Sequence, residues 1–316
     1  MIRSDSYAGL AVAATVSVLA FAAGWRDPPA GTESRSFCPA YLHSAPLHPV
    51  LTLFPLNGPA VDVPVPAGVP PGIDVLEYGP DGRTIYGYRI LSPLKPPAGI
   101  ARIKFDPPRV SRVPGSANRA LREVYCLSAS PISGQLTVTG PPASRPRTFD
   151  IDPAAGTITE MPPGAPSRCG GAGGLLSPDG KRVLTKRDKA LTVTDLQSGK
   201  VRVIESTQSD AGYLWSPNSD MLALGRGNGI MLVDLTEDFE HSSPRKLGTA
   251  GDSDVVWSPD SKYLLIRTSS LSCKFTLYGE SLEVIEVAAG KRMPVKSSHC
   301  QITAGAFGWM DRAIAP

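Results

Sequence analysis

One short turn motif recurs along the chain. Leu176-Ser177-Pro178-Asp179-Gly180-Lys181 runs into Arg182-Val183-Leu184. Trp215-Ser216-Pro217-Asn218-Ser219-Asp220 runs into Met221-Leu222-Ala223-Leu224, and Trp257-Ser258-Pro259-Asp260-Ser261-Lys262 into Tyr263-Leu264-Leu265-Ile266. An earlier copy is Tyr78-Gly79-Pro80-Asp81-Gly82-Arg83, and a worn one is Ala129-Ser130-Pro131-Ile132-Ser133-Gly134. Turn chemistry explains the motif. Ser at the first corner, Pro at the second, Asp or Asn at the third and Gly at the fourth suit a type I turn. Each turn is followed by an apolar run with strand character.

The prolines of these five copies are 51, 47, 39 and 42 residues apart. That period matches a blade of a β-propeller, a four-stranded unit too small to bury its own apolar face. The residue two before the proline (Tyr78, Leu176, Trp215 or Trp257) reads as a core side chain ending the first strand of a blade. Full burial of such a side chain stabilises by roughly 1.5–3 kcal/mol. A second recurrence agrees. Asp152 to Gly156, Asp195 to Gly199 and Glu286 to Gly290 each set an acidic residue four before a glycine, between two strand-like runs. These read as hairpins joining the third and fourth strands. The fourth blade departs, with Asp234-Leu235 entering a longer polar turn through Asp238 and His241.

The S-P-D-G turn, its preceding Trp and the later acidic-x3-Gly hairpin resemble the WD40-like repeat of TolB-type β-propellers over about Val75 to Asp311. The resemblance implies an all-β fold and leaves function open, because scaffolds, peptidase side domains and binding proteins share the repeat. The TolB protein carries a further N-terminal α/β domain, and no such region is legible here.

Blades are expected to start near Val75, Cys126, Gly173, Gly212 and Asp254. The closing blade is expected to combine residues 303–316 with residues 47–72, where Val50–Leu56, Asn57-Gly58 and Pro59–Val65 read as a tight hairpin. Joining both ends of the chain in one blade closes the ring and removes open edges. Six blades follow, with seven as the alternative if residues 36–72 hold more strand. The domain reading is therefore a targeting segment at 1–25, a linker at 26–46 and a propeller at 47–316. The linker rests on proline density, since 18 of the 32 prolines lie between Pro28 and Pro114.

Residues Ala8 to Trp25 form an uncharged apolar run between Arg3 and Arg26, and Ala20-Phe21-Ala22 offers an A-x-A cleavage site. A cleaved secretory signal is expected, with an uncleaved membrane anchor as the alternative. Either delivers the chain to the periplasm or exterior. Five cysteines in an exported chain suggest two disulfides and one odd thiol. The expected pairs are Cys126 with Cys169 and Cys273 with Cys300, leaving Cys38 free or paired in trans.

Hydrophobic residues at 41% and charged residues at 19% exclude a disordered tail and a multi-span membrane protein. A net charge of +3 gives no reason to invoke nucleic acid. No G-x-S-x-G, H-E-x-x-H or C-x-x-C motif occurs. His43, His48, His241 and His299 read as solvated loop residues. Gly225-Arg226-Gly227-Asn228-Gly229 reads as a hairpin turn at Asn228-Gly229 and not as a phosphate loop, and Gly170 to Gly174 as a flexible inter-blade loop. Asp81, Asp179 and Asp260 read as turn formers on separate blades and not as a metal set.

No catalytic residue, cofactor or metal is expected. The functional expectation is a monomeric, non-enzymatic binding scaffold with a protein partner. Its alternatives are a metal-dependent lactonase or hydrolase, for which Asp254 is the one obvious channel candidate, and a carbohydrate- or cell-wall-binding module. The short turns share one face of a propeller. Longer connections at 91–99, 164–174, 206–212, 268–273 and 296–304 share the other. Binding is expected on that long-loop face and at the channel mouth.

Overall fold

A computed structural model describes residues 37–43, 50–56, 59–69, 75–88, 99–118, 121, 124, 126–130, 133–140, 147–170, 173–187, 190–205, 210–226, 229–236, 244–247, 252–270, 279–295 and 305–314. The expected signal or anchor at 1–25 lies outside these residues. Among them stand 24 strands, arranged as six antiparallel sheets of four.

The chain enters through β1 (Phe37–His43), β2 (Val50–Leu53) and β3 (Val61–Pro64). Blade 1 is β4 (Val75–Tyr78), β5 (Thr84–Tyr88), β6 (Ile100–Phe105) and β7 (Pro108–Arg112). Blade 2 is β8 (Cys126–Ala129), β9 (Leu136–Gly140), β10 (Arg147–Ile151) and β11 (Ile158–Glu160). Blade 3 is β12 (Leu175–Leu176), β13 (Arg182–Arg187), β14 (Ala190–Asp195) and β15 (Val201–Glu205). Blade 4 is β16 (Asp210–Trp215), β17 (Met221–Arg226), β18 (Gly229–Asp234) and β19 (Arg245–Lys246). Blade 5 is β20 (Asp252–Trp257), β21 (Tyr263–Ser270), β22 (Gly279–Glu286) and β23 (Lys291–Pro294). Blade 6 sets β24 (Gly305–Asp311) beside β1, β2 and β3. First strands of neighbouring blades lie together, β24 on β4, β4 on β8, β16 on β20 and β20 on β24. The fold is a six-bladed β-propeller.

Blade 6 corrects the linker reading. Phe37–His43 is not linker but a full strand, paired with β24 from Phe37↔Asp311 to His43↔Gly305 and with β2 on its other side. His43 is accordingly a strand residue. The extra strand completes blade 6 and adds no seventh. The hairpin that follows is looser than expected. Pairing of β2 with β3 stops at Leu53↔Val61, so residues 54–56 and 59–60 lie outside the ladder. Pro55 and Pro59 fall there because neither can donate to a ladder. Asn57 and Gly58 lie outside the described residues.

Two of the expected loops are shorter than thought, since residues 210–212 begin β16 and residues 268–270 end β21. Between β17 and β18, Arg226 pairs with Gly229, so Gly229 begins β18 rather than sitting in the turn; Gly227 and Asn228 lie outside the described residues. His48, His241 and His299 lie outside the described residues.

Ring closure is latched from blade 1. The Arg83 guanidinium reaches the buried Asp311 carboxylate at 3.0 Å, and Asp311 N–H donates to Gly82 O at 2.7 Å. Gly82 has φ 63°, and a Cβ there would meet the Phe37 ring at 2.8 Å, so only glycine fits the contact between blade 1 and the chain's entry.

Candidate functional site

The repeated turns are structural on close inspection. In the Pro178-Asp179-Gly180 turn, Asp179 Oδ1 accepts from Ser177 Oγ at 2.6 Å and from Lys181 N at 3.0 Å. Asp81 caps the Pro80-Asp81-Gly82 turn through Arg83 N and Thr84 N at 3.0 and 2.9 Å. Asp260 repeats this with Ser258 Oγ at 2.6 Å, beside Pro259. After Pro217 and Pro259 the fourth corner is not glycine. Ser219 and Ser261 sit there at φ 66° and 61°. Their hydroxyls explain the strain. Ser219 Oγ accepts from Asp179 N of the preceding blade at 3.0 Å, and Ser261 Oγ accepts from Asn218 N at 3.1 Å. On the short-turn face these turns are thus stitched from blade 3 to blade 4 and from blade 4 to blade 5.

The Trp positions form a second stitch. Trp215 and Trp257 are fully buried, and their indole N–H groups donate to Leu175 O at 3.1 Å and Leu214 O at 3.3 Å. Each indole bonds to the first strand of the preceding blade. Trp309 of β24 does the same to Val256 O at 3.3 Å, a repeat member that sequence reading left outside the motif because Met310-Asp311 replaces Ser-Pro. Tyr78 fills the equivalent place in blade 1, its ring against Gly308, where a Cβ would fall 2.4 Å from it.

Apolar clusters join blades 3, 4 and 5, blades 5, 6 and 1, and blades 1 and 2. Among the described residues none joins blade 2 to blade 3. Register shows why. In blade 2, Leu127, Val138 and Phe149 share the side packed on Tyr86, Tyr88 and Ile100 of blade 1. The other side, toward blade 3, carries Ser128, Thr137 and Asp150 in one row and Cys126, Thr139 and Thr148 in the next. In blade 3, Leu184, Val193 and Leu191 face blade 4, which leaves Thr185, Thr192 and Val203 toward blade 2.

Hydroxyls fill this seam. Thr137 donates to Asp150 Oδ1 at 2.6 Å, Thr139 and Thr148 share a bond at 3.2 Å, and Thr185 and Thr192 share one at 2.7 Å. The connection from β11 to β12, on the long-loop face, is tied in by a disulfide between Cys126 and Cys169. Gly173 and Gly174 are packed here, not merely flexible. A Cβ on Gly174 would lie 2.5 Å from Leu184 O, and one on Gly173 2.2 Å from Gly164 O.

Arg168 stands beside the disulfide. Its Nη1 donates to Thr137 Oγ1 at 3.4 Å, while its buried Nε has no hydrogen-bond partner. Burial pushes the guanidinium below its ordinary pKa, and the charge of Asp150 partly offsets that. Ser128, the cross-strand neighbour of Thr137, has a buried Oγ that also lacks a partner. Two buried polar atoms in one seam therefore lack a hydrogen bond. Sequence reading missed both, although it singled out the adjoining 164–174 connection.

Cys38 is free and buried, and its thiol approaches Met310 O at 3.7 Å. Burial pushes it up to about 12, so it is an unreactive packing residue and is not placed for pairing in trans. Cys273 and Cys300 lie outside the described residues. Asp254 lies on β20 opposite Arg267. Among the described residues no three His, Cys, Asp or Glu side chains group to hold a metal.

TolB from Acinetobacter baumannii superposes with a TM-score of 0.56 at 15% identity, covering 88% of this chain and 67% of that one. The chain has the TolB-type propeller fold. A putative TolB from Agrobacterium tumefaciens gives 0.50 at 13% identity, covering 84% of this chain and 90% of that one. A chain of a nidogen/laminin complex gives 0.54 at 9% identity, covering 87% and 98%. No protein-family model and no curated protein matches the sequence. At such identities the likeness is one of fold.

Proposed function

We propose that the chain is a non-enzymatic, extracytoplasmic binding scaffold whose protein partner docks on the long-loop face beside the channel mouth. The observation that carries this reading is the contrast between the two faces. On the short-turn face, turn donors and acceptors are engaged by stitches such as Asp179 N to Ser219 Oγ. In the seam beneath the 161–174 connection of the long-loop face, Arg168 Nε is buried without a hydrogen-bond partner, and Ser128 Oγ lies deeper in the same seam, also without one. A buried unmade donor costs about 1–3 kcal/mol, which an incoming acceptor recovers. The disulfide supports an oxidising compartment, periplasmic or exterior. The apolar run at Ala8–Trp25 supports delivery there, by cleavage or as an anchor.

The test is a partner retained from an envelope extract, identified, purified and recombined with the pure chain. Arg168→Glu is expected to abolish binding, and Lys181→Glu on the short-turn face to leave it intact. Loss with Lys181→Glu alone would reverse the choice of face. A metal found stoichiometrically in the purified chain would favour a hydrolase instead.

A further inference from the structure

Among the described residues, the outermost strand of each blade has one backbone edge without a pairing strand, and natural sheets guard such edges with charge, proline or brevity. Five of the six are guarded here. β3 reads Val-Asp-Val-Pro, β7 Pro-Arg-Val-Ser-Arg, β11 is only three residues long, β19 is Arg245-Lys246, and β23 is Lys-Arg-Met-Pro. β15, Val-Arg-Val-Ile-Glu, differs. Its one internal charge does not guard the rim. Arg202 is 5% exposed and turned inward, its Nη1 donating to Asp234 O at 2.8 Å in blade 4.

What remains outside is apolar. Val201 is 54% exposed and Val203 61%, with Leu196 of the adjoining hairpin at 49%. The backbone agrees. Asp195 N donates to Lys200 O at 2.9 Å, and antiparallel pairs alternate. Arg202 and Ile204 therefore bond to β14, while the N–H and C=O groups of Val201 and Val203 point to the open edge. The same two residues offer both free backbone groups and exposed apolar side chains.

We propose that β15 is a docking edge for an extended segment of another protein, which adds as a fifth strand and sets alternate apolar side chains beside Val201 and Val203. The mode is strand addition, with main-chain bonds giving affinity and alternate side chains specificity. A second copy fits less well. A five-residue strand spans about 17 Å, and two rims meeting along it would bury far less than the roughly 800 Å² per partner of a stable dimer. The proposal rests on the scaffold reading but uses a different surface from the long-loop face.

The test pans a displayed library of random eight-residue peptides on the full chain. Enriched peptides are expected to alternate apolar residues. Val203→Pro removes one outward N–H without touching the β14 ladder, and Val203→Lys restores a guard. Each is expected to weaken the enriched peptides about tenfold or more, with thermal melting of the chain unchanged. On the wild-type chain, peptide should slow amide exchange at Val201 and Val203 and leave Arg202 as it was. Arg168→Glu should leave peptide affinity intact, which separates this proposal from the long-loop reading. Failure to enrich any sequence, affinity indifferent to both Val203 variants, or self-association abolished by Val203→Pro would each overturn it.

Discussion

The seam between blades 4 and 5 and the seam between blades 2 and 3 solve the same problem with different chemistry. Between blades 4 and 5, Leu222, Leu224, Leu264 and Ile266 share one buried cluster, and the Trp257 indole bonds across to Leu214 O. Between blades 2 and 3, threonines, Asp150 and a half-buried guanidinium meet, and a disulfide supplies the covalent tie. An apolar seam is non-directional and closes by exclusion of water. A hydroxyl seam gains little net stability per bond and loses much when a donor is left unmade. Among the described residues the ring therefore has apolar joints and one that is polar and tied by a disulfide. On the proposed scaffold reading, rigidity lies in the former and recognition in the latter.

The sharpest way to break this contrast is at the strong joint. Trp257→Ala is expected to cost about 3–5 kcal/mol in urea unfolding, as large aromatic deletions in cores do. Trp257→Phe should cost less, losing the indole bond while keeping most of the packing. A cost for Trp257→Ala below that of the disulfide would invert the comparison.

The weak joint comes next. Cys126→Ala with Cys169→Ala releases a loop whose ends are 43 residues apart and is expected to cost about 2–4 kcal/mol. The lost protection should concentrate in blades 2 and 3, since among the described residues no apolar cluster joins them. Denatured-state thiol counting should also show Cys126 and Cys169 protected until reductant is added.

Smaller effects sharpen the picture of the short-turn face. Ser219→Ala keeps the positive φ and loses the bond from Asp179 N, and is expected to cost about 1–2 kcal/mol. Ser219→Gly relieves the backbone while losing the same bond, and should lie near neutral. If both variants behave alike, the hydroxyl is not what holds Ser219 in that conformation.

These features differ in how far the chain displays them. The turns at Pro178, Pro217 and Pro259 were legible because their chemistry is local, five or six residues deep. The pairing of Cys126 with Cys169 was legible from blade spacing. β1 was not, since Pro39 and Pro46 suggest a linker, and the partner of Phe37 is Asp311 at the far end of the chain. The polar seam was hidden for a different reason. Ser128, Thr137 and Asp150 alternate with apolar residues just as a solvated sheet face would. Only the neighbouring blade reveals that Ser128 and Thr137 are buried. Arg202 misleads in the opposite sense. It looks like an edge guard in sequence and spends its charge on an inner carbonyl.

The smallest expected effect is one of pH. Asp195 is held below its ordinary value of 3.8 by the backbone N–H and side-chain hydroxyl of Ser198, and Asp152 likewise by the N–H groups of Ala155 and Ala154. A carboxylate lowered on folding contributes stability above its unfolded value and loses it as pH falls through the folded one. Stability should therefore decline with acid from just above pH 3.8 downward, and Asp195→Asn should flatten that decline slightly. Both groups are exposed on the short-turn hairpins, so the change is expected to sit at the edge of measurement.

Amide hydrogen exchange on the native chain, with and without reductant, tests the contrast between seams most directly. Reduction is expected to speed exchange in β8, β9, β12 and β13 while β17, β18, β20 and β21 keep their protection. Equal loss of protection around the whole ring, or no change in blades 2 and 3, would contradict the claim that this one seam depends on its disulfide.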